Sequence, residues 1–267
     1  MNDAAIGVFD SGIGGLTVVA AIMRTLPDER VVYVGDTARV PYGPKSPDTV
    51  LRYSRQIAAF LLEQRVKAIV IACNTATAHA LEALQREVSV PVIGVVTPGA
   101  RAAVRATRSG RVGVIGTTGT INSGAYHRAI ASLAPEAVVT GVACPLFVPL
   151  VEEGWVSHPA TRLIADSYLG AMREHGVDTL VLGCTHYPLL APMIAEVVGS
   201  DVTLVDSAAE TALALRDVLQ EHDLCASGAV AGLAHRFVAT DAPDAFRRVG
   251  QRFIGPALDE VETTIFA

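Results

Sequence analysis

Two cysteines, Cys73 and Cys184, occupy matching places in the sequence and are the residues best suited to do chemistry. Each ends a short apolar run, at residues 68–73 and 179–184, that is typical of a buried strand. In a parallel α/β protein, ligands bind at the carboxyl ends of the strands. Two thiols there could remove a proton from one face of a carbon and deliver a proton to the opposite face. The pair therefore predicts stereoinversion.

The elements that must position these thiols follow a parallel α/β pattern. Apolar runs alternate with helix-like segments along most of the chain, and this alternation predicts parallel sheets with helices on their faces. The predicted strands lie at residues 6–9, 31–34, 68–71, 92–95, 112–115, 138–142, 179–182 and 203–205.

The sequence pattern also predicts two related halves. Residues 6–17 resemble residues 112–123 in layout, 106 positions apart, and the two cysteines are 111 positions apart. We therefore expect an α/β fold of two similar parallel-sheet domains, related by a pseudo-two-fold axis, with the active site in the cleft between them. Residues 207–267 have no counterpart in the second half and include a helix at 208–220, a strand at 236–239 and a helix at 242–252. The predicted domains are 1–97 plus 207–267, and 98–206.

Composition excludes several classes of protein. The 267 residues are 51% hydrophobic and 18% charged, which argues against disorder. The formal net charge is -6, without a cluster of lysine or arginine, so nucleic acid is not expected as the main ligand. The start of the chain lacks a basic region, and prolines interrupt the long apolar stretches, so we expect neither a signal peptide nor a membrane span. Four cysteines without paired spacing favour a reducing cytoplasm.

The residues after each cysteine bear on its reactivity. A buried cysteine usually serves only as a small apolar residue, and that reading is assigned to Cys144 and Cys225. Polar residues follow Cys73 and Cys184 at once and are expected to open helices. Because a helix N-terminus favours negative charge, we expect the pKa of both thiols to fall below the usual value of about 8.5.

A glycine-rich loop follows the first predicted strand. Gly12 and Gly14 fit a dinucleotide-binding fingerprint, but Thr17 stands where a third glycine is wanted, and Asp36 fits the ribose-binding position only loosely. Asp10 would place a carboxylate beside a pyrophosphate. A zwitterionic ligand, with an ammonium for Asp10 and carboxylates for the backbone N–H groups, fits the loop better.

Three further features have two readings each. The loop at 35–43 could face a ligand or be an ordinary turn. Glu152 and Glu153 follow an apolar run where strand ends should cluster, but adjacent glutamates also commonly end a solvated helix. His186 could exchange a proton with Cys184, or simply form a hydrogen bond in the core.

Four motifs taken together resemble the glutamate racemase branch of the aspartate/glutamate racemases. They are Asp-Ser-Gly-Ile-Gly-Gly-Leu-Thr at 10–17, Gly-Asp-Thr-Ala-Arg-Val-Pro-Tyr-Gly at 35–43, Ala-Cys-Asn-Thr-Ala-Thr at 72–77 and Gly-Cys-Thr-His-Tyr-Pro at 183–188. The resemblance spans residues 6 to about 207. It implies two α/β domains, no pyridoxal phosphate, no metal, and interconversion of L- and D-glutamate that supplies D-glutamate for bacterial peptidoglycan.

The resemblance also implies roles for individual residues. Cys73 and Cys184 would be the acid/base pair, with Asp10 assisting Cys73, and with His186 and Glu152 assisting Cys184. Asp36 would be a further supporting acid. The implied substrate-binding residues are Asp10, Ser11, Pro41, Tyr42, Gly43, Asn74, Thr75, Thr118, Thr185 and His186. A cytoplasmic homodimer is expected, with a small-molecule substrate and with neither nucleic acid nor membrane as partner.

Other functions remain open at this point. An aspartate or hydantoin racemase would share the paired thiols. A cysteine hydrolase would use Cys184 with His186 and would leave Cys73 without a role. Zinc bound by these three residues is conceivable, although no Cys-x-x-Cys spacing supports it. A binding module for an acidic amino acid would need neither thiol.

Overall fold

Two parallel sheets, one of six strands and one of four, form the frame on which the site is built. The computed structural model describes residues 3–228 and 234–266, and the elements below are those of the described residues. The strands are β1 (Ile6–Asp10), β2 (Val31–Gly35), β3 (Ala68–Ile71), β4 (Val92–Gly94), β5 (Arg111–Gly116), β6 (Val138–Ala143), β7 (Thr179–Gly183), β8 (Thr203–Asp206), β9 (Arg236–Ala239) and β10 (Glu262–Thr263).

Helices cover the faces of both sheets. They are α1 (Leu16–Thr25), α2 (Pro47–Glu63), α3 (Asn74–Glu87), α4 (Val96–Ala106), α5 (Thr118–Asn122), α6 (Ala125–Leu133), α7 (Phe147–Glu152), α8 (Pro159–Glu174), α9 (Ala191–Val198), α10 (Ser207–Glu221) and α11 (Pro243–Ile254). Two short 3-10 turns lie at Tyr187–Leu190 and Gly255–Ala257. None of the helices in residues 3–228 and 234–266 is both long and apolar enough to cross a membrane.

The strand order is repeated in the two sheets. The first sheet runs β10-β9-β2-β1-β3-β4 and the second runs β6-β5-β7-β8, with every pairing parallel. The segment β2-β1-β3-β4 thus has the same order as β6-β5-β7-β8. The repeat confirms the predicted fold class of two similar parallel-sheet halves. It also makes β3 and β7, the strands that precede the two cysteines, topological equivalents.

Side-chain alternation in these two strands decides which face each thiol occupies. In β3, Ile69 and Ile71 pack with Cys73 on the face covered by α2 and α3, whereas Val70 packs on the opposite face. In β7, Leu180 and Leu182 pack with Cys184, and Val181 lies on the other face. Each cysteine therefore continues the face of the residue two positions before it.

The predicted strands agree with the structure to within a residue or two at each end, but two local predictions differ. Strand β10 was not predicted, because two exposed residues, Glu262 and Thr263, carry no apolar signal. The residues after Cys184 form the 3-10 turn Tyr187–Leu190 before α9 begins, rather than an α-helix starting at Thr185. Pro188 lacks a backbone donor and disfavours the α conformation for the residue before it.

The late segments of the chain join the first sheet. β9 pairs with β2, and α10 packs against α1. Beside the second sheet, by contrast, α4 packs against α6. These contacts are consistent with the division into 1–97 plus 207–267 and 98–206, which stays a prediction. Met1, Asn2, 229–233 and Ala267 belong to the first predicted domain and lie outside the described residues.

Candidate active site

The two thiols lie at equivalent strand ends and are almost completely buried. Cys73 and Cys184 each expose 6% of their surface. Cys73 is the residue before α3, and its sulfur accepts the backbone N–H of Ala76 at 3.4 Å. Burial raises the pKa of the Cys184 thiol, the backbone N–H of His186 opposes that rise, and a negative charge on Cys73 would raise this pKa further. The two sulfurs thus belong to one buried electrostatic environment.

Asp10 and Ser11, from the end of β1, accompany Cys73. The Cys73 thiol lies 3.7 Å from the Ser11 hydroxyl. Asp10 is 1% exposed and accepts the Gly12 backbone N–H at 2.9 Å. Burial raises the pKa of Cys73, and the charge of Asp10 raises it further. These contacts bring together the three residues that the sequence predicted on this side.

His186 and Glu152 accompany Cys184. The Cys184 sulfur lies 3.9 Å from His186 Nδ1, and His186 Nε2 lies 2.9 Å from Glu152 Oε1. The Phe253 ring and the imidazole form a T-shaped pair with 5.8 Å between ring centroids, and Arg252 donates to the Glu152 backbone carbonyl at 2.7 Å. Helix α11 of the late segment therefore contacts both members of the His186–Glu152 pair.

Asp10 also joins the two halves of the molecule. The Thr185 hydroxyl donates to its carboxylate at 3.3 Å, and the Thr17 hydroxyl donates to the Thr185 backbone carbonyl at 3.2 Å. Burial raises the pKa of Asp10, while the nearby His186 and the N–H donors of the loop oppose that rise. A carboxyl group whose pKa is raised in this way can accept and return a proton.

The expectation that both thiol pKa values fall below normal is wrong. Burial, and then the charge of Asp10, raise the pKa of Cys73 to about 11, despite hydrogen bonds from Ala76 and Ser11. Burial also raises the pKa of Cys184, and the His186 N–H offsets this only in part. Removing a thiolate from water costs more than one or two N–H groups return. Both thiols are therefore protonated at neutral pH in this arrangement.

Hydroxyl and amide donors gather beside Cys73 from both halves. The Thr75 hydroxyl lies 2.8 Å from that of Thr117 and 3.1 Å from that of Thr120. Asn74 is 3% exposed, and its side-chain Nδ2 has no hydrogen-bond partner. The predicted Thr118 instead has an exposed side chain at the start of α5. Thr117 and Thr120, which the sequence did not single out, lie in this cluster with Thr75, and the ligand role of Thr118 stays a prediction.

Asp36 organises the loop after β2 and shows no contact with either thiol. Its buried carboxylate accepts from the Arg39 guanidinium at 2.8 Å, from the Thr240 hydroxyl at 3.0 Å and from the Tyr42 hydroxyl. These donors occupy the carboxylate oxygens, and they turn the Tyr42 hydroxyl toward Asp36. The predicted acid and the predicted ligand Tyr42 are therefore partners of each other.

The end of the same loop docks on the second half. The carbonyl of Gly43 accepts the Gly119 backbone N–H at 2.8 Å, and a Cβ added at Gly43 would lie 2.9 Å from Thr117 Cβ. Gly43 is buried, whereas the preceding Pro41 is exposed. Only the absence of a side chain lets the loop approach Thr117 so closely.

Gly14 must be glycine because His186 and Thr185 lie against it, and not because a dinucleotide binds there. A Cβ added there would lie 2.4 Å from both His186 Nδ1 and Thr185 Oγ1. The loop after β1 therefore forms a wall directly against the imidazole. The absent third glycine of the fingerprint, at Thr17, carries a hydroxyl that contacts the second half instead.

No group of three or more His, Cys, Asp or Glu side chains is placed to hold a metal ion within residues 3–228 and 234–266. The zinc ligands considered from sequence, Cys73, Cys184 and His186, do not form such a group. Instead, the site offers two thiols, one carboxylate, one His–Glu dyad and a set of uncharged donors.

Comparison with known proteins identifies the family. The family model described as Asp/Glu/Hydantoin racemase matches residues 6–215. A protein named glutamate racemase from Geobacter metallireducens is 57% identical over 96% of this chain and 95% of its own length. The crystal structure of a glutamate racemase isoform from Bacillus anthracis matches with a TM-score of 0.94 and 40% identity, covering 100% of this chain and 98% of that chain.

A second solved structure carries a ligand. The glutamate racemase from Francisella tularensis in complex with D-glutamate matches with a TM-score of 0.93 and 40% identity, covering 100% of this chain and 99% of that chain. The similarity in sequence and in fold extends over nearly the full length of each protein. The chain therefore belongs to the Asp/Glu/Hydantoin racemase family, a family of isomerases, as the motifs around its two cysteines predicted.

Proposed function

We propose that the chain is a cofactor-independent glutamate racemase in which Cys73 and Cys184 are the two acid/base groups. The observation that carries the proposal is the equivalent placement of two buried thiols, each after the third strand of its sheet and each with its own proton-accepting neighbour. Curated relatives that are 46–57% identical to this chain are named glutamate racemase. Racemisation needs such a pair, because a single residue could not serve both faces of Cα.

Each turnover would move two protons. One thiolate takes the α-proton, so that a Cα–H bond breaks, an S–H bond forms and the electron pair moves onto the α-carboxylate. The opposite thiol then gives its proton to the other face of Cα and becomes a thiolate. The thiols exchange roles in the reverse direction, so each must be able to act as acid and as base.

The raised thiol pKa values require a route to the thiolate. The substrate brings an ammonium group, and a positive charge near a thiol lowers its pKa. Asp10 on the Cys73 side and His186 with Glu152 on the Cys184 side can take the proton that the thiol releases. Burial of Asp10 raises its pKa toward that of its thiol, which reduces the cost of this transfer.

Stabilising the carbanion is the second requirement. The Cα–H group is a very weak acid, and its removal builds negative charge on the α-carboxylate. The unpartnered Nδ2 of Asn74 and the hydroxyls of Thr75 and Thr185 supply uncharged donors beside the thiols. A closed, dry cleft strengthens such contacts because few waters screen them. Ser11, the 41–43 loop, Thr117 and Thr120 complete the proposed substrate-binding set.

Asp36 has a different part in this proposal. Because its oxygens are occupied by Arg39, Tyr42 and Thr240, we assign it to holding the loop that carries Tyr42 and Gly43. It would affect substrate affinity through that loop rather than take part in proton transfer.

The physiological setting is also proposed. D-glutamate made by this chain would serve peptidoglycan synthesis, in the cytoplasm, by an enzyme that works as a homodimer. Size-exclusion chromatography with light scattering would test the dimer. Restored growth of a strain deprived of its own glutamate racemase, without added D-glutamate, would test the cellular role.

A direct test follows circular dichroism of D-glutamate with purified, reduced protein, EDTA present and no pyridoxal phosphate added. L- and D-aspartate and a hydantoin are tested in parallel as substrates. Decay of the D-glutamate signal to zero supports the proposal. Decay with aspartate or hydantoin alone would favour the related racemases, and a covalent acyl-enzyme would favour a cysteine hydrolase. Binding of glutamate without turnover, unaffected by thiol alkylation, would indicate a binding module.

A further inference from the structure

The side chain of Asn74 raises a question of orientation. It is buried, yet its amide nitrogen Nδ2 has no hydrogen-bond partner, while its amide oxygen has one. An unpaired buried N–H carries a free-energy cost, so an arrangement that enforces it points to a ligand for that group. The two ends of an amide are nearly equal in shape, so a contact with the oxygen end must fix which end carries the nitrogen.

Tyr126 is the group that contacts the amide oxygen. Its hydroxyl donates to Asn74 Oδ1 at 2.7 Å, and the tyrosine itself is 3% exposed. Tyr126 lies on α6 over the second sheet, whereas Asn74 opens α3 beside the first. The contact therefore crosses between the halves, 52 positions apart in the sequence.

Ser207 lies beside this hydrogen bond, since a Cβ added at Gly99 would lie 3.1 Å from both Ser207 Cβ and the Tyr126 hydroxyl oxygen. Burial raises the pKa of the Tyr126 phenol, and Ser207 opposes that rise, as a hydroxyl that donates to the phenol oxygen does. With its oxygen already accepting from Ser207, Tyr126 is left with its own O–H to donate. A flipped Asn74 would present N–H groups to that O–H, donor against donor. A hydrogen bond from Ser207 therefore favours donation from the Tyr126 hydroxyl to the amide oxygen of Asn74.

We propose that Tyr126 is a positioning residue that fixes the orientation of the Asn74 amide and so aims its Nδ2–H group at the α-carboxylate of the substrate. This inference rests on the proposed racemase function. Because negative charge grows on that carboxylate as the α-proton leaves, correct aim matters more in the transition state than in the bound substrate. Tyr126 acts through Asn74, whose amide oxygen its hydroxyl contacts.

The test compares Tyr126→Phe with the wild type by circular dichroism of both glutamate enantiomers. We expect kcat/KM to fall about tenfold, with most of the loss in kcat. Ser207→Ala should cause a smaller loss of the same kind. Tyr168→Phe is the matched control, since that hydroxyl accepts from the Leu146 N–H away from the thiols, and it should stay within about twofold of the wild type.

A double-mutant cycle separates positioning from general structural support. In an Asn74→Ala background, Tyr126→Phe should cause no further loss, either in turnover or in D-glutamate binding measured by calorimetry. An equal loss in both backgrounds, or full activity of Tyr126→Phe with an unchanged melting temperature, would overturn the inference. An inactive wild type would instead refute the proposed racemase function.

Discussion

Gly14→Ala tests whether the wall formed by the loop after β1 positions His186. An added Cβ would lie 2.4 Å from His186 Nδ1 and from Thr185 Oγ1, closer than any normal Cβ contact. Neither neighbour can withdraw freely. His186 is bound to Glu152 at 2.9 Å, and Thr185 is bound to Asp10 at 3.3 Å.

The magnitude follows from the displacement. Restoring a normal contact of about 3.5 Å requires a movement of about 1 Å by the imidazole, the threonine or the loop. Overpacking of this kind costs about 1–3 kcal/mol of stability. A displacement of about 1 Å in a catalytic group can lower the rate about 100-fold, or about 2.7 kcal/mol in activation free energy. We expect kcat to fall by about that factor with the fold retained.

The assay is racemisation of both glutamate enantiomers, followed by circular dichroism, together with a thermal melt. Gly170→Ala is the matched control, because a Cβ there meets nothing within 4 Å in the middle of α8. It should leave kcat within about twofold and stabilise the helix by up to about 1 kcal/mol. A Gly14→Ala enzyme with wild-type kcat would refute the positioning argument.

Two further predictions concern acidity and the loop. Burial raises the pKa of Cys73 to about 11. The difference between ultraviolet titrations of the wild type and Cys73→Ala should therefore show no Cys73 thiolate below about pH 9. A Cys73 thiolate that forms below about pH 8 would contradict this prediction. Asp36→Ala should lower the free energy of unfolding by about 3 kcal/mol, because the largely buried Arg39 guanidinium loses its carboxylate partner. Glu87→Ala, which removes the carboxylate of the exposed pair with Arg55, should cost under about 1 kcal/mol. Unchanged stability with racemisation abolished would restore Asp36 as an acid.

The strand ends, the thiols and their nearest polar neighbours could be predicted from the sequence. Cys73 and Cys184 end apolar runs of similar length, and the parallel pattern dictates where such ends lie. Asp10 and His186 are close to the thiols along the chain or at a neighbouring strand end, so short-range reasoning was sufficient.

Contacts between the halves could not be predicted in this way. Tyr126 reaches Asn74, and Thr117 reaches Thr75, only because two helices from different sheets come together. No periodicity or spacing records that docking. Thr118, a predicted ligand, has an exposed side chain at the start of α5, whereas Thr117, one position before it, contacts Thr75.

The pKa values of the thiols and the role of Asp36 could not be predicted, because they depend on the depth of burial and on contacts between distant parts of the chain. The depth of burial decides the direction of both thiol pKa shifts, against the effect of the helix N-terminus at Cys73. The saturation of Asp36 by Arg39, Tyr42 and Thr240 requires β9, which lies about 200 residues further along the chain, to pair with β2.

Exchange of the α-proton in deuterated water tests most directly whether each thiol serves one face of Cα. Cys73→Ala and Cys184→Ala should each fail to racemise glutamate, yet each should exchange the α-proton of one enantiomer, and the two variants should act on opposite enantiomers. The remaining thiol can still remove and return a proton on its own face. Full racemisation by either variant, or exchange of the same enantiomer by both, would contradict the two-thiol account.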